Sequence, residues 1–127
     1  MAGVELGGTK AIAALARGAS IVESMRIATT DPEETLAALG QRLQAWRVGG
    51  HDFAAIGIGS FGPVGLDPNR VDYGFITTTP KSGWSATDVR GFFASRFDLP
   101  ICFDTDVNGA ALAETWWGSA RGSDHAV

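Results

Sequence analysis

Asp104, Thr105, Asp106 and Asn108 place two carboxylates, a hydroxyl and an amide in one short stretch. The apolar run Leu99-Pro100-Ile101-Cys102-Phe103 leads into it and predicts a short buried strand. Ala110, Ala111, Leu112 and Ala113 follow, good helix formers with no Pro among them, and predict a helix ending near Trp116-Trp117-Gly118. The polar cluster therefore stands where a strand ends and a helix begins. In open α/β sheets, ligands bind just beyond the carboxyl ends of strands. A helix N-terminus there adds N–H groups and a positive dipole end. An aspartate so placed can take a proton from a substrate hydroxyl, and an amide beside it can orient the sugar or alcohol carrying that hydroxyl. The alternative is that Asp104 or Asp106 only caps the helix.

A second chemical stretch lies near the start. Ala2-Gly3-Val4-Glu5-Leu6 predicts a strand, Ala11-Ile12-Ala13-Ala14-Leu15-Ala16 a second, and Gly7-Gly8-Thr9-Lys10 joins them. Gly-Gly between apolar runs is a tight-hairpin signal. Successive N–H groups in such a turn form a concavity that binds anions. A threonine hydroxyl and a lysine ammonium beside it suit the terminal phosphates of a nucleotide. The spacing differs from that of the G-x-x-x-x-G-K-[ST] phosphate loop, and a plain hairpin is the alternative. A third stretch, Ser60-Phe61-Gly62-Pro63-Val64-Gly65, puts Gly/Pro backbone after the apolar run Phe53–Gly59, which predicts a strand buried on both faces.

The remaining segments must position these three. Ser20–Ala28 alternates as a third strand, so the first three strands form a meander. Thr30-Asp31-Pro32-Glu33-Glu34 reads as a helix start, and Leu36, Leu39, Leu43 and Trp46 mark its apolar face up to Gly49-Gly50. Asp67–Arg70 is a turn, and Val71–Thr79 reads as a short strand or an extended loop. Thr79-Pro80-Lys81-Ser82-Gly83-Trp84 is a loop whose tryptophan is expected to pack at the core rim. Ser85 or Thr87 is the expected cap of a second helix with Val89, Phe92, Phe93 and Phe97 as its buried stripe. The order β-β-β-α-β-loop-α-β-α is a mixed α/β layer, an antiparallel meander followed by parallel crossovers.

Composition narrows the function classes. The chain has 127 residues, 45% hydrophobic and 19% charged, enough for one domain with a core and not a disordered composition. Its net charge of −4 argues against a nucleic-acid-binding surface. No apolar run approaches the roughly 20 residues of a membrane span. Glu5 and the glycines interrupt the first apolar run, unlike a signal peptide. The single cysteine, Cys102, excludes an internal disulfide and is expected to be a small buried hydrophobe. The two histidines, His51 and His125, stand far apart as expected surface residues, so no metal-ligand cluster is visible. These features predict a cytoplasmic protein.

With its motifs in this order, the chain resembles the N-terminal lobe of the ROK (repressor, open reading frame, kinase) sugar kinases. Glu5-Leu6-Gly7-Gly8-Thr9-Lys10 resembles that family's first phosphate motif and Gly59-Ser60-Phe61-Gly62-Pro63-Val64 its sugar-side loop. Thr79-Pro80-Lys81-Ser82-Gly83-Trp84 resembles the loop after it, and Thr105–Glu114 the catalytic Asn-Asp-x-Asn-x-x-Ala-x-x-Glu segment. The wording is most similar to the fructokinase branch. The resemblance implies an α/β fold of the ribonuclease H-like, actin-like ATPase class: a lobe over residues 1–122 with helices on the faces of its mixed sheet, and 123–127 beginning the link to a C-terminal lobe that lies beyond this chain. It implies an ATP- and Mg²⁺-dependent hexose kinase, a homodimer when full length, with no nucleic-acid or membrane partner. Any zinc would sit in the other lobe. Asp106 would be the catalytic base, with Thr105, Asn108 and the backbone around Gly62 and Pro63 at the sugar. Gly7, Gly8, Thr9 and Lys10 would face the ATP phosphates, and Asp104 would be structural. Glu5 stands where many members have Asp, which bears on a water-mediated Mg²⁺ contact. Thr105 replaces the Asn of glucokinases, which leans the preference towards fructose. A lobe alone should bind ATP poorly and catalyse little. The alternative within the family is a non-catalytic sugar-sensing or regulatory module.

Overall fold

The computed structural model describes residues 1–17 and 20–105. The chain opens with β1 (Ala2–Leu6), β2 (Lys10–Arg17) and β3 (Ser20–Ala28), followed by α1 (Pro32–Val48) and β4 (Ile56–Ser60). A short pair, β5 (Phe75–Ile76) and β6 (Thr87–Asp88), precedes α2 (Val89–Arg96) and β7 (Ile101–Thr105). Among the described residues the main sheet has five strands in the order β3-β2-β1-β4-β7. β1, β2 and β3 pair antiparallel, while β4 runs parallel to both β1 and β7. This is the expected meander followed by parallel strands.

Alternation along the strands sets the faces. Val4, Ala13, Ile58 and Phe103 share one register row, and all four are buried. Leu36, Leu39, Leu43 and Trp46 of α1 and Val89 and Phe93 of α2 join that face in one core, with Phe97 just after α2. Asp31 caps α1: its Oδ1 accepts from the Glu34 N–H at 2.8 Å, with Pro32 in the first turn. β4 lies between β1 and β7 and every residue in it is buried, as its continuous apolar run predicts.

Several local expectations are corrected. β4 starts at Ile56 rather than Phe53, although Phe53 is buried and packs 6.2 Å from the Phe97 ring. The Val71–Thr79 stretch, by contrast, falls within its expected range, with Phe75 and Ile76 as a short strand. Asp88, rather than Ser85 or Thr87, caps α2, accepting from the Gly91 N–H at 2.8 Å. The Thr87 hydroxyl is engaged elsewhere, donating to the Trp84 carbonyl at 2.7 Å. Phe92 is half-buried, with the Arg96 guanidinium 3.8 Å above its ring. Cys102 is exposed, because β7 forms the margin of the described sheet and Cys102 points away from the face that takes Ile101 and Phe103. His51 is half-buried, 3.8 Å from Glu23. His125 lies outside the described residues.

Candidate active site at the carboxyl edge of the sheet

The parallel register fixes where the three chemical stretches leave the sheet. Leu6, Ser60 and Thr105, the last residues of β1, β4 and β7, stand in one row. The Gly7–Lys10 turn and the Phe61–Val64 loop therefore leave the sheet at the edge where β7 ends at Thr105. One residue back, Glu5, Gly59 and Asp104 form a second row. The strand spacing sets the backbones of Glu5 and Asp104 roughly 10 Å apart, and the glycine between them adds no side chain.

The phosphate-like turn is held from inside and outside. The Gly7 N–H donates to the Lys10 carbonyl at 2.9 Å, closing the turn. A Cβ on Gly7 would stand 2.8 Å from that same carbonyl oxygen, so the turn needs glycine there. A Cβ on Gly8 would meet nothing within 4 Å. The fold does not require glycine at that position, and the space beside it is open. Thr9 and Lys10 are exposed. Glu5, Gly7, Lys10 and Ile12 line a depression of about 270 Å³ at this turn. That is just below the usual size of a small-molecule pocket. Outside the turn, the Thr29 hydroxyl donates to the Gly7 carbonyl at 2.8 Å, and the Thr29 N–H donates to the Thr9 carbonyl at 2.9 Å.

The loop after β4 is held as firmly. The Phe61 N–H donates to the Leu6 carbonyl at 2.7 Å, tying it to β1. Thr77 donates both its N–H (2.9 Å) and its hydroxyl (3.2 Å) to the Pro63 carbonyl. Pro63 itself is exposed and Gly62 half-buried. Trp84 is fully buried, as expected of a packing residue; its ring meets Phe61 edge-on at 5.4 Å, and its indole Nε1 donates to the Thr30 carbonyl at 2.7 Å.

The fold thus brings Gly7, Gly8, Thr9, Lys10, Gly62, Pro63 and Thr105 to one edge, while Asp106 and Asn108 lie outside the described residues. The Asp104 carboxylate accepts from the Thr105 N–H at 2.8 Å. Among the described residues, no group of three His, Cys, Asp or Glu side chains converges. Sequence reasoning missed Thr29 and Thr77. Each binds a loop far from it in the chain, a pairing that no local pattern signals.

Comparison with known proteins agrees with this geometry. The ROK family pattern matches residues 1–127. The fructokinase of Pediococcus pentosaceus is 42% identical over 119 residues, covering 93% of this chain and 40% of that protein. The fructokinase of Zymomonas mobilis subsp. mobilis is also 42% identical, over 98% of this chain and 42% of that protein. A ROK glucokinase from Streptomyces griseus, solved with glucose and AMPPNP, superposes with a TM-score of 0.67 at 28% identity, over 98% of this chain and 38% of its own. The chain thus spans about 40% of the length of the curated relatives it matches.

Proposed function

The chain belongs to the ROK family, and on that premise we propose that it is the N-terminal, sugar-side lobe of an ATP-dependent hexose kinase acting on fructose. The single row of Leu6, Ser60 and Thr105 carries this reading, because the strands that lead into a phosphate-type turn, a sugar-side loop and the acidic motif end side by side. Identity of 42% to fructokinases against 28% to the glucokinase supports fructose, as does Thr105 in the place of the glucokinase Asn.

In this mechanism Asp106 takes the proton from the sugar hydroxyl as that oxygen bonds to the γ-phosphorus, and the bond from the γ-phosphorus to the bridging oxygen breaks with its electron pair leaving on ADP. Asn108, Thr105 and the backbone at Gly62 and Pro63 hold the sugar. Gly8 supports a phosphate contact: its missing Cβ serves nothing in the fold, and only an approaching ligand would use the space. Gly7 shapes the turn, while Thr9 and Lys10 add a hydroxyl and a cation that are exposed to it. Asp104 is structural, since its carboxylate binds the adjacent Thr105 N–H. Mg²⁺, when bound, neutralises phosphate charge; such ions take one or two carboxylates and keep phosphate and water ligands. Glu5, beside the turn, is the carboxylate on hand.

Residues 1–122 are the lobe and 123–127 begin the link to a second lobe that closes the cleft. The two-lobed protein is a cytoplasmic homodimer working on free hexose. The net charge of −4 supports the absence of a nucleic-acid partner. No described helix is long and apolar enough to cross a membrane. Hexose-dependent ADP release by the protein continued through its natural C-terminus tests the reading. Turnover with fructose supports it, and sugar binding without ADP release with any hexose replaces it with a sensing module.

A further inference from the structure

We propose that Thr29 is a positioning residue for the nucleotide, acting through the Gly7–Lys10 turn. Glycine loses more backbone freedom on ordering than any other residue, so a ligand that must order a turn with two adjacent glycines binds more weakly. Thr29 removes that freedom in advance. Its hydroxyl fixes the Gly7 carbonyl at 2.8 Å and its N–H fixes the Thr9 carbonyl at 2.9 Å. A trans peptide is planar, with C=O and N–H on opposite sides. Fixing the carbonyls of Gly7 and Thr9 therefore also sets the directions of the Gly8 and Lys10 N–H groups, which face away from Thr29. One residue thus orients two peptide planes of the turn.

Thr29 is itself held in place. It is 8% exposed, and it directly follows β3, whose Ala28 pairs with Lys10. Its neighbour Thr30 is anchored on both sides: the Thr30 N–H donates to the Thr35 hydroxyl at 2.9 Å, and the Thr30 carbonyl accepts the Trp84 indole. Trp84 in turn packs on Phe61 of the sugar-side loop. The clamp on the phosphate turn therefore stands on the same residues that brace the sugar-side loop. A hydroxyl at residue 29 is the feature that matters: valine has the same shape and lacks the donor, while serine keeps the donor and lacks the methyl.

This inference rests on the kinase reading, and the test separates the two. In the protein carrying both lobes, Thr29→Val should weaken Mg-ADP binding and raise the KM for ATP by about tenfold, the scale of one hydrogen bond. The KM for fructose should stay within about twofold and Thr29→Ser should restore the ATP value, outcomes that a general loss of structure would not produce. Equal rises in both KM values, no change in Mg-ADP affinity, or failure of serine to rescue would overturn the proposal. Hydrogen exchange of the nucleotide-free wild-type protein gives a reading that needs neither turnover nor a folded variant. The Gly7 and Thr29 amides should be protected, and rapid exchange at both would overturn the clamp. If the wild-type protein releases no ADP with any hexose yet binds Mg-ADP in a Thr29-dependent way, the kinase reading fails and the clamp stands.

Discussion

At the scale of single residues, the surroundings of a side chain tell which positions the fold constrains. Gly7 and Gly8 are adjacent and look alike in sequence, yet only Gly7 is required by the fold. Gly7→Ala drives a Cβ to 2.8 Å from the Lys10 carbonyl oxygen and should lower the melting temperature. Gly8→Ala meets nothing within 4 Å and should leave the melting temperature unchanged while weakening ATP binding by tenfold or more, on the order of one lost contact or clash. Isothermal titration with Mg-ADP beside a thermal melt checks both; equal thermal losses would mean that Gly8 also serves the fold. The two carboxylates divide similarly. Asp106→Asn should leave sugar affinity within a few-fold and cut turnover by roughly 10²-fold or more. Asp104→Asn keeps an oxygen acceptor for the Thr105 N–H and should keep turnover within about tenfold. The reverse pattern in steady-state kinetics would move the base to Asp104. The candidate residues stand out in sequence because Gly-Gly-Thr-Lys and Asp-Thr-Asp-Val-Asn combine chemical groups within a few positions. Thr29 does not, because a threonine after a strand looks the same whether or not a carbonyl 22 residues away accepts its hydroxyl.

At the scale of elements, two loops at the sheet edge depend on one tryptophan. Trp84→Phe keeps an aromatic ring against Phe61 but deletes the donor to the Thr30 carbonyl. It should cost about 1–2 kcal/mol in urea unfolding. Trp84→Ala should cost about 3–5 kcal/mol, as for other buried aromatic rings. A phenylalanine variant as unstable as the alanine variant would show that the hydrogen bond, not the packing, dominates. The strands and helices were readable where a pattern is local. The two-residue alternation of β3 and the apolar stripe and Asp31-Pro32 start of α1 all correspond to elements of the fold. The misreadings arose where tertiary contacts decide. Ser85 and Thr87 are good caps by type, but the Thr87 hydroxyl serves the preceding loop and Asp88 caps instead. Cys102 reads as core by composition, but its place in the margin strand exposes it.

At the scale of the whole molecule, function depends on convergence. The sheet order places the carboxyl ends of β1, β4 and β7 side by side, and no local sequence pattern states that register. The strand pairing alone supplies it. The depression of about 270 Å³ at the Gly7–Lys10 turn is open, and in the proposed kinase a second lobe closes it. The chain alone should therefore release ADP far more slowly than the protein continued through its natural C-terminus. The decisive experiment is hexose-dependent ADP release from Mg-ATP by that longer protein, with fructose, glucose and mannose in parallel. A fructose kinase with Asp106 as its base turns over fructose best of the three, and Asp106→Asn cuts that turnover by roughly 10²-fold or more. Sugar binding with no ADP release from any of the three hexoses would refute the kinase reading.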